Sequence, residues 1–266
     1  MALNLSTVGV IGAGKIGGAL IRRLSASKDF DLVVNDVSRE QLQSFTDNYG
    51  VRTVLSNEEV AGESHIVIVA VKPWDVKTVL NEISPSFEGG KKAIVSVAAG
   101  VQISEMAARL PESTAILRVM PNACAAVGLG SAVITANQFG EVYLSAVMDI
   151  FRRLGDIVEL PEKLFDAATA LHGSGPAYVA LFADALVQAG VKEGIPRDVA
   201  KRLVAGTIGG TAVLLKEKEA YQIRDEVTTP GGTTAAALGA MEKAGFVPAV
   251  YEGIGAATKQ ARRLAG

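Results

Sequence analysis

The chain has 266 residues, 49% of them apolar and 20% charged, with a formal net charge of -2. That length supports one large or two modest domains with real cores, and that charge gives no reason to expect a nucleic-acid or anionic-membrane partner. One cysteine, Cys124, excludes an internal disulfide and fits a reducing cytoplasm, and no Cys/His cluster has metal-ligand spacing.

In chain order, Val8 to Gly18 come first and read VGVIGAGKIGG. A buried strand (Val8, Val10, Ile11) ends at Gly12, and a helix carrying Ile16, Leu20, Ile21 and Leu24 begins just after. The Gly12-x-Gly14-x-x-Gly17 spacing supplies a tight turn, close backbone approach to a pyrophosphate and close packing of helix on strand. The helix N-terminus adds unpaired N–H groups and partial positive charge. A lone motif of this kind also occurs in ordinary strand-to-helix turns. Here the flanks favour a dinucleotide site, because Asp36 follows nineteen positions beyond Gly17, at the end of the next strand. The apolar N-terminal run lacks preceding basic residues, so no signal peptide is expected.

Asp31 to Asp36 reads as the second strand, and Ser38 to Asn48 as a helix with Ser38 as N-cap. Val51 to Leu55 is a short strand, and Ser56 opens a short helix. His65 to Val71 (HIVIVAV) is the fully apolar strand of a parallel sheet covered on both faces. Asp75 to Ile83 is helical, and Ala93 to Val97 and Ala115 to Val119 are two more buried strands. This alternation predicts a doubly wound parallel sheet, with ligands at the strand C-termini. The predicted Rossmann domain spans residues 1–160.

From Pro161 no further strand is convincing, and an all-helical domain is expected over 161–266. Helices are predicted at Glu162 to Leu171, Pro176 to Gly190, Arg197 to Glu219, Thr233 to Ala244 and Pro248 to Leu264. The Pro176–Gly190 segment is apolar nearly all round, so it needs cover on several sides. A small helical domain cannot supply that alone, and a dimer sharing these helices is the simplest solution. The mean hydropathy of +0.30 points the same way. No apolar run reaches the ~18 residues of a membrane span.

Four constellations sit where chemistry is expected. Val71-Lys72-Pro73 ends one strand, with Lys72 either at the ligand edge or a solvated loop lysine. Ser96 to Gly100 ends the next with small residues that admit a ring or sugar, or simply turn tightly. Met120-Pro121-Asn122 ends a third, and Asn122 offers donor and acceptor groups or a plain turn. Val227 to Thr234 (VTTPGGTT) precedes a helix with hydroxyls and two glycines, a nest suited to a carboxylate, although an ordinary N-cap with a glycine-rich turn would read similarly.

Together with His172-Gly-Ser-Gly-Pro-Ala-Tyr178 and Pro196-Arg197, these motifs resemble pyrroline-5-carboxylate reductase over essentially the whole chain. The resemblance implies reduction of 1-pyrroline-5-carboxylate to L-proline with NADPH or NADH, the last step of proline biosynthesis. It implies a Rossmann domain and a helical domain interlocked in a homodimer, assembled in some members into rings of dimers. It implies that Gly12, Ala13, Gly14, Lys15, Ile16 and Gly17 cradle the pyrophosphate. Ala70, Val71, Lys72 and Pro73 then line the cofactor, and Ala98-Ala99-Gly100 and Met120-Pro121-Asn122 approach its nicotinamide half. Thr229, Pro230, Gly231, Gly232, Thr233 and Thr234 hold the substrate carboxylate, with Ser174 beside it and Thr234 near the ring nitrogen as the catalytic hydroxyl. Asn35, Asp36, Ser38 and Arg39 face the adenosine ribose. Asp36 suits NADH, Ser38 and Arg39 could take a 2′-phosphate, and both cofactors are expected.

His172 stands where many members carry Ser and is read as a packed structural histidine, with a pocket-lining role as the alternative. His65 is read as structural, and Cys124 as a small apolar filler. Two other functions compete. A β-hydroxyacid dehydrogenase normally places a helical lysine as the acid, and none occurs here until Lys192. A non-catalytic dinucleotide sensor would not need the Thr229–Thr234 nest.

Overall fold

The computed structural model describes residues 7–27, 29–89 and 91–264. The outer ends of the two expected domains, residues 1 and 266, lie outside the described residues. Two compact units divide the chain. One runs to Ser174 and takes in the chain again from Ala257, and the other is Gly175–Ala256.

The first unit alternates strand and helix: β1 (Thr7–Ile11), α1 (Lys15–Ser27), β2 (Asp31–Asn35), α2 (Arg39–Tyr49), β3 (Arg52–Thr53), α3 (Asn57–Glu63), β4 (Ile66–Val69), α4 (Pro73–Ile83), β5 (Ala93–Ser96), α5 (Ile103–Ala107) and β6 (Ala115–Pro121). It continues through β7 (Gly130–Ala136), α6 (Leu144–Arg152), β8 (Gly155–Glu159) and the single turn α7 (Phe165–Ala168). The sheet order is β3-β2-β1-β4-β5-β6-β7-β8. Winding reverses at β1, which lies between β2 and β4. That reversal opens the crevice where α/β sheets bind ligands.

Strands β1 to β6 run parallel. The apolar runs reflect burial on both faces. In β4, Ile66 and Ile68 join one core layer, with Leu20, Leu24, Val95 and Phe151. Val67 and Val69 join the other, with Val76, Leu80, Ile83 and Phe87. Local signals end the helices as expected. Ser38 Oγ accepts the Gln41 N–H at α2, and Ser56 Oγ the Glu59 N–H at α3.

The sheet departs from all-parallel at β7, which runs antiparallel to β6, and β8 follows β7. A tight 3-10 turn, Ala123–Val127, closed by Gly128 at φ 76°, links β6 to β7. A parallel crossover needs about a dozen residues or more, so so short a link sends the chain straight back. Strand β8 escapes sequence reading because Ile157 is its single fully buried residue.

The segment after β8 is tied to the sheet. Glu162 Oε1 accepts from the Ile103 N–H at 2.8 Å and from Arg118 Nη1 at 3.0 Å. Arg118, 4% exposed, lies over the Phe165 ring at 4.7 Å. These contacts explain why the first compact unit extends past residue 160 to Ser174. The helix expected from Glu162 to Leu171 is instead a 3-10 turn (Glu162–Leu164), α7 and a π turn (Thr169–Gly173).

The second unit holds α8 (Gly175–Lys192), α9 (Arg197–Leu214), α10 (Ala220–Glu226), α11 (Thr233–Lys243) and the start of α12 (Phe246–Leu264). The helix expected to run to Glu219 stops at Leu214, and α10 follows after a turn. Helix α10 opens on a reciprocal cap between Glu219 and Gln222. Helix α8 packs along α9. Val187 and Ala200 are this unit's only fully buried described residues. Leu181, Phe182, Leu203, Val213 and Tyr251 stand exposed on the single chain.

Candidate nucleotide cleft and anion loop

The cleft lies at the C-terminal edge of β1, β2, β4 and β5 and encloses about 720 Å³. Its floor is backbone. Gly12 turns at φ 98°, and its N–H donates to the Asn35 carbonyl at 2.9 Å. A Cβ at Gly12 would stand 2.7 Å from the Ala70 carbonyl oxygen, and one at Gly17 would overlap the Gly12 carbonyl. A side chain at Gly12 would collide with the backbone just past β4, and one at Gly17 would force α1 away from the turn. Around Gly14 the space is open. Helix α1 has no acidic residue in its first turn, so nothing there repels a phosphate. These residues fit a dinucleotide.

Asp36 holds the adjoining turn. Its Oδ2 accepts the Ala13 N–H at 2.6 Å and its Oδ1 the Ser38 N–H at 2.8 Å. Asn35 Nδ2 donates to Asn57 Oδ1 at 2.8 Å, and Asn57 Nδ2 to Glu82 Oε2 at 2.7 Å. That relay ties the end of β2 to α3 and α4.

The cleft brings together Gly12, Gly14, Lys15, Ile16, Asn35, Asp36, Ala70, Val71, Lys72, Pro73, Ala98 and Ala99. Ala13, Gly17, Ser38, Arg39, Gly100, Met120, Pro121 and Asn122 do not line it. Ala13 and Gly17 shape the turn from behind, and Ser38 caps α2. The Asn122 amide is spent on backbone groups: Oδ1 accepts from the Cys124 and Ser131 N–H groups, and Nδ2 donates to the His172 carbonyl. Half-buried Cys124 belongs to that turn. Sequence reasoning missed Asn57, Asp75, Thr78, Val79 and Glu82. The last four fall at i, i+3, i+4 and i+7 on α4, so one helix face turns to the cleft. That spacing was available as a signal. A second hollow of about 700 Å³ at the opposite edge of the sheet includes the exposed Arg52–Glu63 pair and has no glycine-built floor.

The second unit holds the loop between α10 and α11. Thr228 Oγ1 donates to the Arg224 carbonyl at 2.6 Å, and the Gly232 N–H to the Thr229 carbonyl at 3.0 Å. Gly231 takes φ 71°. The cap of α11 is Gly232, and no side chain caps that helix end. Thr229 and Thr233 are exposed and Thr234 is half-buried. A helix start without a side-chain cap, flanked by hydroxyls, is a ready site for an anion. Ser174 ends the π turn, its N–H donating to the Thr169 carbonyl at 3.0 Å.

Comparison with known proteins covers both units. Residues 162–264 match the family model described as pyrroline-5-carboxylate reductase dimerisation, and residues 7–100 match one described as NADP oxidoreductase, coenzyme F420-dependent. The chain is 39% identical over 265 residues to a pyrroline-5-carboxylate reductase of Synechocystis, covering 97% of each. It is similar to the structure of a pyrroline-5-carboxylate reductase from Coxiella burnetii, with a TM-score of 0.94, 29% identity, and coverage of 99% of this chain and 100% of that one. It is also similar to the Plasmodium falciparum pyrroline carboxylate reductase solved with NADP bound, with a TM-score of 0.85, 32% identity and 100% of both chains covered. By its glycine-built cleft, its α11 loop and its likeness along almost its whole length, the chain belongs to the pyrroline-5-carboxylate reductase family.

Proposed function

We propose that this chain reduces the C=N bond of 1-pyrroline-5-carboxylate to give L-proline, using NADPH or NADH. The observation that carries this reading is the dinucleotide cleft at the β1/β4 switch in a chain that matches the family over 97% of its length. Bound there, the reduced nicotinamide supplies the hydride.

The residues of this chain bind and orient. The Gly12–Ile16 turn and the start of α1 hold the pyrophosphate. Asp36 receives the ribose hydroxyls and disfavours a 2′-phosphate by like charge, while Ser38 and exposed Arg39 leave room for NADPH. Lys72, Pro73, Ala98 and Ala99 line the remainder of the cleft. The Thr229–Thr234 loop receives the substrate carboxylate on backbone N–H groups. The Thr234 hydroxyl donates a hydrogen bond at the ring nitrogen. An imine is readily protonated and accepts hydride more easily than a ketone, so positioning carries most of the catalysis. Among the described residues no helix is long and apolar enough to cross a membrane. The uncovered apolar helices support a homodimer, with rings of dimers as the larger assembly, and the single cysteine supports a cytoplasmic setting.

The test is oxidation of NADPH and of NADH by the purified chain in the presence of 1-pyrroline-5-carboxylate, with proline identified as product. Turnover with both is expected. No imine-dependent oxidation of either would overturn the assignment.

A further inference from the structure

The nucleotide cleft has a polar corner that the phosphate and ribose contacts leave unused. Helix α4 turns Thr78, Val79 and Glu82 toward it, and Asn57 opens α3 beside them. Glu82 is exposed there and held by a relay across three elements. Asn35 Nδ2 donates to Asn57 Oδ1 at 2.8 Å, and Asn57 Nδ2 donates to Glu82 Oε2 at 2.7 Å. The carboxylate fixes the sense of that relay. An ionised carboxyl only accepts, so the Asn57 amide presents its nitrogen to Glu82 and its oxygen to Asn35. One Glu82 oxygen is thereby occupied. The other, Oε1, has no hydrogen-bond partner among the described residues, and no cation among them pairs with the group. A carboxylate oxygen has nothing to donate, so this one calls for a donor from the ligand.

Position along the cleft decides which part of a dinucleotide meets it. The residues follow the sheet order: Asn35 to Val37 after β2, Gly12 to Ile16 after β1, Ala70 to Pro73 after β4, Val97 to Ala99 after β5. With the pyrophosphate on the β1 turn, one nucleoside lies toward β5 and the other toward β2. Asn57 and Glu82 belong to the β2 end, because the relay joins them to Asn35. Beyond a ribose at Asp36, the remaining group at that end is the purine.

The corner also suits a flat ring. Val37 is wholly exposed on one lip of the cleft, and Val71 and Val79 line its wall. A bare valine at the lip loses contact with water when a base covers it. Apolar side chains then meet the faces of the ring, and the free Glu82 oxygen meets its edge. Adenine carries an amino group with two N–H donors at C6, whereas a 6-oxopurine has an acceptor oxygen in that place. A carboxylate attracts the first and repels the second.

We propose that Glu82 reads the purine of the cofactor, its Oε1 accepting a hydrogen bond from the 6-amino group of adenine. The chain thereby selects a 6-aminopurine dinucleotide over a 6-oxopurine one. Asn57 is the positioning residue, since it fixes which carboxylate oxygen stays free. This contact rests on the nicotinamide-dinucleotide reading given above and names the residue that recognises the base.

Nicotinamide fluorescence reads binding to the full-length chain with no imine present. The probes are NADH and deamino-NADH, which carries hypoxanthine in place of adenine and is otherwise identical. NADH should bind about tenfold more tightly or more, the scale of one hydrogen bond to a charged group. Glu82→Gln tests the sign. Its amide oxygen accepts from Asn57 Nδ2 and its amide N–H groups turn to the base, so preference should move toward deamino-NADH by about tenfold or more. Glu82→Ala should bind the two alike. Each outcome is a ratio within one protein, so a general loosening of α4 does not imitate it. Equal wild-type affinity for the two probes, or a ratio that Glu82→Gln leaves unmoved, would overturn the proposal. No binding of either probe would overturn the dinucleotide reading and this contact with it. Selective binding of NADH without turnover of the imine would support this contact and overturn the reaction assignment alone.

Discussion

The sheet unit and the helical unit solve burial in opposite ways. In the sheet unit, Val8, Leu20, Ile66, Ile68, Ile94 and Phe151 are at most 1% exposed, and two apolar layers close over both faces of one sheet. In the helical unit, Leu181 is 74% exposed on the strongly apolar α8, and Tyr251 is 75% exposed on α12. Helices need partners for their apolar stripes, and these five offer too little mutual cover. The first unit completes its core within one chain. The second leaves apolar helix faces uncovered on the single chain, the cover that the proposed second copy would supply.

Charging the shared surface gives the largest expected effect. Phe182→Asp puts a carboxylate where Phe182 meets the Phe246 ring at 5.8 Å between centroids. The dimer should be lost in light scattering, with helical signal lost in circular dichroism and activity abolished. A soluble, fully helical, active monomer would show that the helical unit needs no partner. Thr234→Ala comes next. It should lower kcat/KM by about ten- to a thousandfold while nicotinamide affinity stays near wild type, because the loop belongs to the other unit. Weakened cofactor binding would break the division of labour between the units.

Glu162→Ala probes how firmly residues beyond 160 belong to the sheet. It strips a carboxylate from nearly buried Arg118 and from the Ile103 N–H, and should cost about 1–3 kcal/mol, read as a lower denaturation midpoint. An unchanged midpoint would mean the segment is not anchored there. Asp36→Ser should shift the NADPH/NADH ratio of kcat/KM toward NADPH by about tenfold, the equivalent of roughly 1.4 kcal/mol. Because Asp36 also holds the Ala13 and Ser38 N–H groups, KM for both cofactors should rise somewhat. A constant ratio would place Asp36 away from the ribose.

The sheet unit was largely legible in the sequence, because its signals are local. Alternate-face burial produced the IVIV run of β4, Ser38 and Ser56 announced their helices, and the glycine spacing announced the cleft. Strands β7 and β8 and helices α5, α6 and α10 were not read from the sequence. Strand β8 is mostly exposed, and α10 is a short helix whose opening Glu219–Gln222 cap was absorbed into the preceding helical run. The cleft wall on α4 was missed because a polar helix face reads as solvent-facing until the sheet places a ligand against it.

The sequence by itself determined the alternating elements as far as β6, the glycine turn and the surplus of apolar helix, since propensity, capping and period act over a few residues. Only the tertiary structure decided the rest. The direction of β7 follows from the length of a link measured against the sheet it must rejoin. The use of the Asn122 amide follows from Cys124, Ser131 and His172 converging on it. Whether the Glu82 carboxylate meets open solvent or lines a cleft depends on which distant residues surround it. Local periodicity cannot specify that, because it is a property of packing.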